Sequence, residues 1–265
     1  MLGKIKRKQM IKAIFFDIDG TLVSFKTHTI PTSTIEAINA LREKDIKVFI
    51  STGRSKTIIN NLGKLTFDGF ITMNGAYCYA GNEVIYKNSI PNEDIEVLVN
   101  RVKKQQLSCV FVQEKRIALC NQSWVTDEFC ETLNISPIAT ISPDEILGKE
   151  VFQVSPFITP SQESEFMPLL PHCTSGRWHP SFTDIVAKDN GKDRGMDEIL
   201  RHFEIDLKDT MAFGDGGNDI PMLKHAAIGV AMGNAGEDVK RIADYVAPSV
   251  DNDGIMKALQ HFEVL

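Results

Sequence analysis

At 265 residues and 43% hydrophobic content, the chain can bury one large core or two modest ones and does not read as disordered. A formal net charge of −6 argues against nucleic acid as the main partner, because phosphate-backbone binding needs a basic surface, and points to a small anion drawn to a local site. No apolar run approaches the length of a membrane-spanning helix, so no membrane partner is expected.

Lys4, Lys6, Arg7 and Lys8 make a basic start, but too few apolar residues follow before Asp17 for an export signal, and the stretch reads as a solvated tail. The apolar run 13–16 predicts a strand closed by Asp17, with Asp19 deeper in the turn that Gly20 permits. Behind Pro31, Ser33 and Glu36 form a capping-box pattern, and Ile35, Ile38 and Leu41 supply one helical face. A second strand over 46–50 ends in Ser51-Thr52-Gly53-Arg54, a helix is expected over 56–65, and a third strand from Gly69 ends at Asn74-Gly75-Ala76. Strand and helix alternate here as a doubly wound, Rossmann-like parallel sheet requires.

From 77 to 186 the pattern changes to a separate α/β unit. It opens with a hairpin around Gly81-Asn82 and continues with a helix from Asn92 that carries Ile95, Leu98, Val99 and Val102 on one face. Strands near 109–112 and 117–119, a helix near 124–133, a turn capped at Ser142-Pro143, a strand over 151–154, a helix over 163–170 and two late strands complete it. The expected division is a discontinuous core over 1–83 and 187–265 with an inserted α/β cap over 84–186. After the insert, Lys192 precedes an amphipathic stretch over 196–203, and a further apolar run ends in Phe-Gly-Asp215-Gly-Gly-Asn218-Asp219.

Five cysteines, Cys78, Cys109, Cys120, Cys130 and Cys173, are odd in number and show no CxxC pairing, which predicts a reduced, cytoplasmic protein with inert buried thiols. The histidines have neither HExxH nor zinc-ligand spacing.

The chemistry concentrates at strand ends. In an open α/β sheet ligands collect beyond the carboxyl ends of parallel strands, so the acids of the two turns can meet there. Their mutual repulsion calls for a cation, and an all-oxygen ligand set favours Mg²⁺ completed by water and substrate phosphate. A carboxylate can attack phosphorus to give an aspartyl-phosphate while a second acid protonates the leaving oxygen and then activates water. Thr52 offers a short hydroxyl donor and Gly53 an approachable backbone N–H, while Lys192 would bring a point charge to nucleophile and phosphoryl group. A phosphate-binding P-loop is excluded, since Val186 stands where its first Gly is required and Asp193 where Ser or Thr should follow Lys192.

The Asp17-Ile-Asp19-Gly20-Thr21 run, the Ser51-Thr52-Gly53 strand end, Lys192 ahead of a helix and the Asp215 to Asp219 turn, in that order, resemble the four signatures of the haloacid dehalogenase superfamily of phosphotransferases. The Asn74-Gly75-Ala76 turn, the Thr52-Gly53-Arg54 run and the large insert resemble its Cof-type, subclass IIB phosphatases. The resemblance implies Asp17 as nucleophile, Asp19 as general acid and base, and Asp17, the Asp19 backbone carbonyl and Asp215 as metal ligands, with Asn218 and Asp219 orienting the metal's waters or Lys192. Relatives usually show Lys followed at once by Gly, which makes Lys188 the alternative to Lys192. Gly53, Arg54, Asn74 and Gly75 are expected to face the ligand from the core, and Arg177 and Trp178, with His179, from the cap.

The implied activity is Mg²⁺-dependent hydrolysis of a small phosphorylated metabolite, with sugar phosphates first and pyridoxal phosphate or flavin mononucleotide next. A phosphomutase would use the same core residues, and a non-catalytic phosphate sensor would need no Asp19. Oligomeric state is not legible.

Overall fold

The protein is described by a computed structural model covering residues 10–265. The basic stretch 4–8 lies outside the described residues. The core begins with β1 (Ala13–Phe16), α1 (Thr32–Glu43), β2 (Lys47–Ser51), β3 (Gly69–Thr72) and the hairpin β4 (Tyr77–Ala80) and β5 (Glu83–Lys87). The insert contributes α2 (Asn92–Gln105), β6 (Cys109–Val112), β7 (Ile117–Cys120), α3 (Trp124–Thr132), β8 (Gln153–Pro156), α4 (Pro160–Phe166), β9 (Cys173–His179) and β10 (Phe182–Ala187). The chain then returns to the core with α5 (Lys192–His202), β11 (Thr210–Gly214), α6 (Ile220–His225), β12 (Ile228–Ala231), α7 (Glu237–Ile242), β13 (Tyr245–Val246) and α8 (Gly254–His261).

The larger sheet has eight strands in the order β13-β12-β11-β1-β2-β3-β4-β5. Neighbours from β13 to β3 run parallel, and the pairings β3-β4 and β4-β5 are antiparallel. Alternate residues of β1 feed opposite faces: Ile14 and Phe16 pack with Ile38 and Leu259, while Ala13 and Phe15 pack with Met196 and Met222. Helices cover both faces, so β1 is apolar throughout instead of alternating with polar residues. This is the doubly wound core expected from the sequence, and the insert forms the cap, an antiparallel sheet in the order β7-β6-β8-β10-β9.

Several local expectations are corrected. The hairpin around Gly81-Asn82 joins the larger sheet, which therefore continues through β5 to Lys87, past the expected boundary at 83. Its inner residues Tyr77 and Tyr79 pack with Met73 against Val110, Val112 and Phe152 of the cap, so an apolar seam joins the two sheets. The helix expected over 56–65 is only a single 3₁₀ turn at Lys56–Ile58. Thr57, Ile58 and Ile59 are β-branched, Asn60, Asn61 and Gly63 are poor helix formers, and Arg54 Nη1 takes the Ile58 carbonyl at 2.9 Å. The Ser33 capping box does not form, because α1 starts one residue earlier at Thr32, and Ile35 of its expected apolar face is exposed. Thr159 starts α4 ahead of the expected 163, with its hydroxyl accepting from Gln162 N–H, and the strand expected over 151–154 lies two residues later as β8.

Candidate active site

β11, β1 and β2 are parallel neighbours that end side by side, so the residues following them share one crevice. Asp17 follows β1, Thr52 follows β2 and Asp215 follows β11. Sheet hydrogen bonding continues into the site, with Asp17 N–H on Phe213 O at 3.0 Å and Thr52 N–H on Ile71 O at 2.8 Å. Gly20 adopts φ 83°, and a Cβ there would lie 2.1 Å from Asp215 Oδ2, so the turn requires glycine for both conformation and space. Thr21 Oγ1 donates to Asp215 Oδ1 at 3.0 Å. Asn234 Nδ2 donates to Asp215 Oδ2 at 3.1 Å and to Gly20 O at 2.8 Å. Asn234 was not anticipated; it follows β12, the next parallel strand outward, and that strand-end position is the signal that could have found it.

Lys192 is the first residue of α5, and its buried ammonium donates to Asp17 Oδ1 at 2.7 Å and Asp219 Oδ1 at 2.5 Å. Lys188 is exposed, and of the two lysines it is Lys192 whose ammonium meets the acids. The Asn74-Gly75 turn sets the approach of Lys192: Gly75 has φ 90°, and a Cβ on it would meet Gly191 O at 1.9 Å. Asp219 Oδ2 accepts from the N–H groups of Asp215 and Gly216 at 2.9 and 2.8 Å, so this carboxylate shapes its own turn while holding Lys192.

Burial pushes the Asp17 carboxyl up to about 7; Lys192 pulls it down, and Asp219 and Asp19 push it further up. Asp215 is raised well above the ordinary carboxylate range, first by burial and then by Asp17 and Asp219. Burial also disfavours the Lys192 ammonium, yet Asp17 and Asp219 outweigh it and hold Lys192 above its usual value. Carboxyl oxygens of Asp17, Asp215 and Asp219 lie within 4.8 Å of one another. One lysine does not neutralise three such acids, and an all-oxygen donor set with raised affinity for protons fits a hard divalent cation. Asp219 is already committed to Lys192 and two N–H groups, which leaves Asp17 and Asp215 as the side chains best placed to hold it.

Asp19 faces the same crevice but is clamped. Arg54 Nε donates to its Oδ2 at 2.6 Å and Nη2 to its Oδ1 at 2.8 Å, a bidentate pair. The same guanidinium reaches Leu133 O of the cap at 2.8 Å, so Arg54 ties Asp19 to the end of α3. Thr52 Oγ1 accepts from Arg54 N–H at 3.1 Å, which leaves the hydroxyl proton to be donated.

A cavity of about 520 Å³ opens above these residues. Its floor includes Asp17, Asp19, Thr52, Gly53, Arg54, Asp215, Asn218 and Asp219, with Phe25 and His28 at one side. Its ceiling is Glu131, Thr132, Trp178 and His179 of the cap. Burial lowers the His179 pKa from its usual 6.5. Three expected ligand-facing residues are placed otherwise. Asn74 and Gly75 do not line the cavity, and the Asn74 amide is bound by Gln153, Asp184 and Asn218. Arg177 does not line it either; its guanidinium is held by Glu163 and by the carbonyls of Ile158, His179 and Pro180. Glu131, Thr132, Phe25 and His28 were not anticipated, because no local pattern marks a residue that reaches a cavity from a helix end or a surface loop.

Residues 14–259 match the family model of haloacid dehalogenase-like hydrolases. The chain is 34% identical over 259 residues to the Bacillus subtilis protein named "Putative phosphatase YkrA", covering 96% of this chain and 98% of that one. Among solved structures it is similar to the HAD subclass IIB sugar phosphatase BT4131, at 54% identity and a TM-score of 0.93, covering 96% of this chain and 100% of that one. It is also similar to BT1666 of Bacteroides thetaiotaomicron, at 34% identity and a TM-score of 0.91 over the whole of both chains. On the family match and these likenesses, the chain belongs to the haloacid dehalogenase-like hydrolases, and it is a phosphatase of that family.

Proposed function

We propose that this phosphatase is Mg²⁺-dependent and hydrolyses small phosphomonoesters, sugar phosphates first among them, through an aspartyl-phosphate on Asp17. The observation that carries the reading is the Asp17 carboxylate at the tip of β1, held through one oxygen by Lys192 beside Asp215 and opposite Thr52. The 54% identity to a protein described as a sugar phosphatase supports the substrate class.

Asp17, Asp215 and the backbone carbonyl of Asp19 would hold the ion, which when bound offsets the repulsion between these acids and the incoming phosphate. Lys192 binds Oδ1 of Asp17, leaving Oδ2 to attack phosphorus. As that bond forms, the bond from phosphorus to the alkoxyl oxygen breaks, and Asp19 gives this oxygen its proton. Both Asp19 oxygens accept from Arg54 here, so to carry that proton one of them must exchange its N–H partner for the leaving-group oxygen while Arg54 keeps the other. In the second step Asp19 takes a proton from water, the hydroxide oxygen bonds to phosphorus, and Asp17 leaves as a carboxylate. Thr52 and the Gly53 N–H bind phosphoryl oxygens, and Lys192 offsets the charge that gathers on them.

The cap supplies specificity: Trp178, His179, Glu131 and Thr132 meet the leaving group and exclude water. The Trp178 N–H is already bound to Asp184, so its ring face is what it offers to a sugar. Five free, buried cysteines support a reducing, cytoplasmic setting.

Phosphate release from sugar phosphates, pyridoxal phosphate, flavin mononucleotide, nucleotides and an aryl phosphate, with Mg²⁺ or with chelator, tests the reading. Asp17→Asn is expected to lose at least about a thousandfold in kcat. Retained Mg²⁺-dependent turnover in that variant would overturn the covalent route. Release that is insensitive to chelator would overturn the metal dependence.

A further inference from the structure

Asp184 is a buried carboxylate with no part in the chemistry of the floor. It lies on β10, between β8 and β9 of the cap sheet, is 4% exposed, and forms no ion pair among the described residues. A carboxylate taken out of water without a cation is costly unless hydrogen bonds satisfy it. Ser155 Oγ donates to Oδ1 at 2.6 Å, while Asn74 Nδ2 and Trp178 Nε1 donate to Oδ2 at 3.0 and 3.1 Å. One donor belongs to the cap interior, one to a core turn and one to the cavity ceiling. An ionised carboxylate only accepts, so it suits a point where three donors converge on two oxygens. Burial pushes its pKa up, and these three donors work against that rise.

The network continues into the core. Asn74 Oδ1 accepts from Asn218 Nδ2 at 2.9 Å, which ties the cap to the acidic turn. Gln153 of β8 accepts from Asn74 Nδ2 at 3.0 Å and donates to Gly53 O at 3.2 Å, which ties it to the turn after β2. Backbones approach just as closely, since a Cβ on Gly217 would meet Arg177 O at 2.5 Å.

We propose that Asp184 is a positioning residue that registers the cap on the core and holds the Trp178 indole as a wall of the leaving-group site. One side chain thereby couples the ceiling that reads the substrate to the turn that carries Asp215. The activity test of this role rests on the phosphatase reading above, whereas the spectroscopic test does not.

The chain has two tryptophans, and Trp124 is 75% exposed, so a Trp124→Phe background isolates the emission of Trp178. In that background Asp184→Leu, which orphans the indole donor, is expected to raise acrylamide quenching by about twofold or more and to shift emission to the red. Asp184→Asn should stay near the parent, because its oxygen can accept from both N–H donors and its amide can donate to Ser155. With a sugar phosphate, Asp184→Leu is expected to lose about tenfold or more in kcat/KM, chiefly through KM, and far less with a small aryl phosphate. Trp178→Phe removes the indole donor together with part of the ring that walls the site, and should show the same selective loss. Equal losses on both substrates, unchanged quenching in Asp184→Leu, or an unselective Trp178→Phe would each overturn the proposal. If Asp184→Leu does not fold, Asp184→Ala, which also orphans the indole donor, is read by the same quenching and substrate tests with the same outcomes. A wild-type protein without phosphate release would overturn the phosphatase reading and leave the quenching result to judge Asp184.

Discussion

The floor and the ceiling of the cavity are built on different physics. Below, Lys192 is fully enclosed between Asp17 and Asp219, with Asp215 close by, so the floor is an arrangement of charges in a buried place. Above, Phe182 packs edge-on against Trp178 and Phe129 with ring centroids at 4.9 and 5.1 Å and stacks on His179 at 5.2 Å, and the buried acid Asp184 is met by neutral donors. A charged floor holds reacting atoms in place and tolerates almost no substitution. An aromatic ceiling held by neutral hydrogen bonds can change shape while the reaction below is preserved, and that separation allows one chemistry to serve many substrates.

The contrast breaks most readily at Lys192. Lys192→Met leaves two buried carboxylates without their cation and is expected to destabilise the protein by about 3–5 kcal/mol and to lower kcat by about a hundredfold or more. Denaturant midpoints and phosphate release measure the two effects, and a stable, active Lys192→Met would mean that the floor does not depend on this charge.

Arg54 stands where floor and ceiling meet. Arg54→Ala frees Asp19 from its bidentate partner and removes the bond to Leu133 O, with an expected loss of about tenfold to a hundredfold in kcat that is greatest for poor leaving groups. Equal losses across a series of leaving groups would show that Arg54 holds the cap without aligning the proton donor.

The floor also predicts a dependence of stability on pH. In protein stripped of divalent ions, Asp17 titrates at about 7 when folded, against its ordinary 3.8. Between those values the folded state binds the extra proton, so stability falls as pH rises, by up to about 4 kcal/mol. A bound cation favours the ionised carboxylates, so the stabilisation conferred by added Mg²⁺ is expected to grow over the same interval. Thermal melts at pH values across it, with and without Mg²⁺, test this, and a metal-free Tm that climbs with pH would contradict it.

The smallest effect is expected inside the cap. Arg177→Ala removes the Glu163 pair and three carbonyl contacts, at a cost of about 1–3 kcal/mol, while the ratio of sugar-phosphate to aryl-phosphate turnover stays at its parent value. A changed ratio would return Arg177 to the substrate site. Trp178, one residue on, is expected to show the opposite: little loss of stability and an altered ratio.

Much of the fold was legible because its signals are local. An apolar run closed by an acid, as at Asp17, or by Ser-Thr-Gly, as at Thr52, marks a buried parallel strand and the place where its ligand-side turn begins. The segment 56–65 stops at one 3₁₀ turn because its β-branched residues disfavour a helix and the Arg54 guanidinium takes the Ile58 carbonyl. The hairpin was assigned to the insert because an antiparallel pair carries no sign of which sheet it will join.

By itself the sequence determined the strand-end acids, the order of the doubly wound core and the presence of a large insert, since each depends on residues that are neighbours in the chain. Only the tertiary structure decided that Lys192 and not Lys188 is the buried cation, that Arg54 grips Asp19, that Arg177 is spent within the cap and that Asn234 serves Asp215. These choices are made by partners far apart in sequence, as in the 79 residues between Arg54 and Leu133 or the 110 between Asn74 and Asp184. A long polar side chain can satisfy its hydrogen bonds in many directions, and the one it takes is fixed only when folding brings a distant acceptor within reach and excludes water from the others.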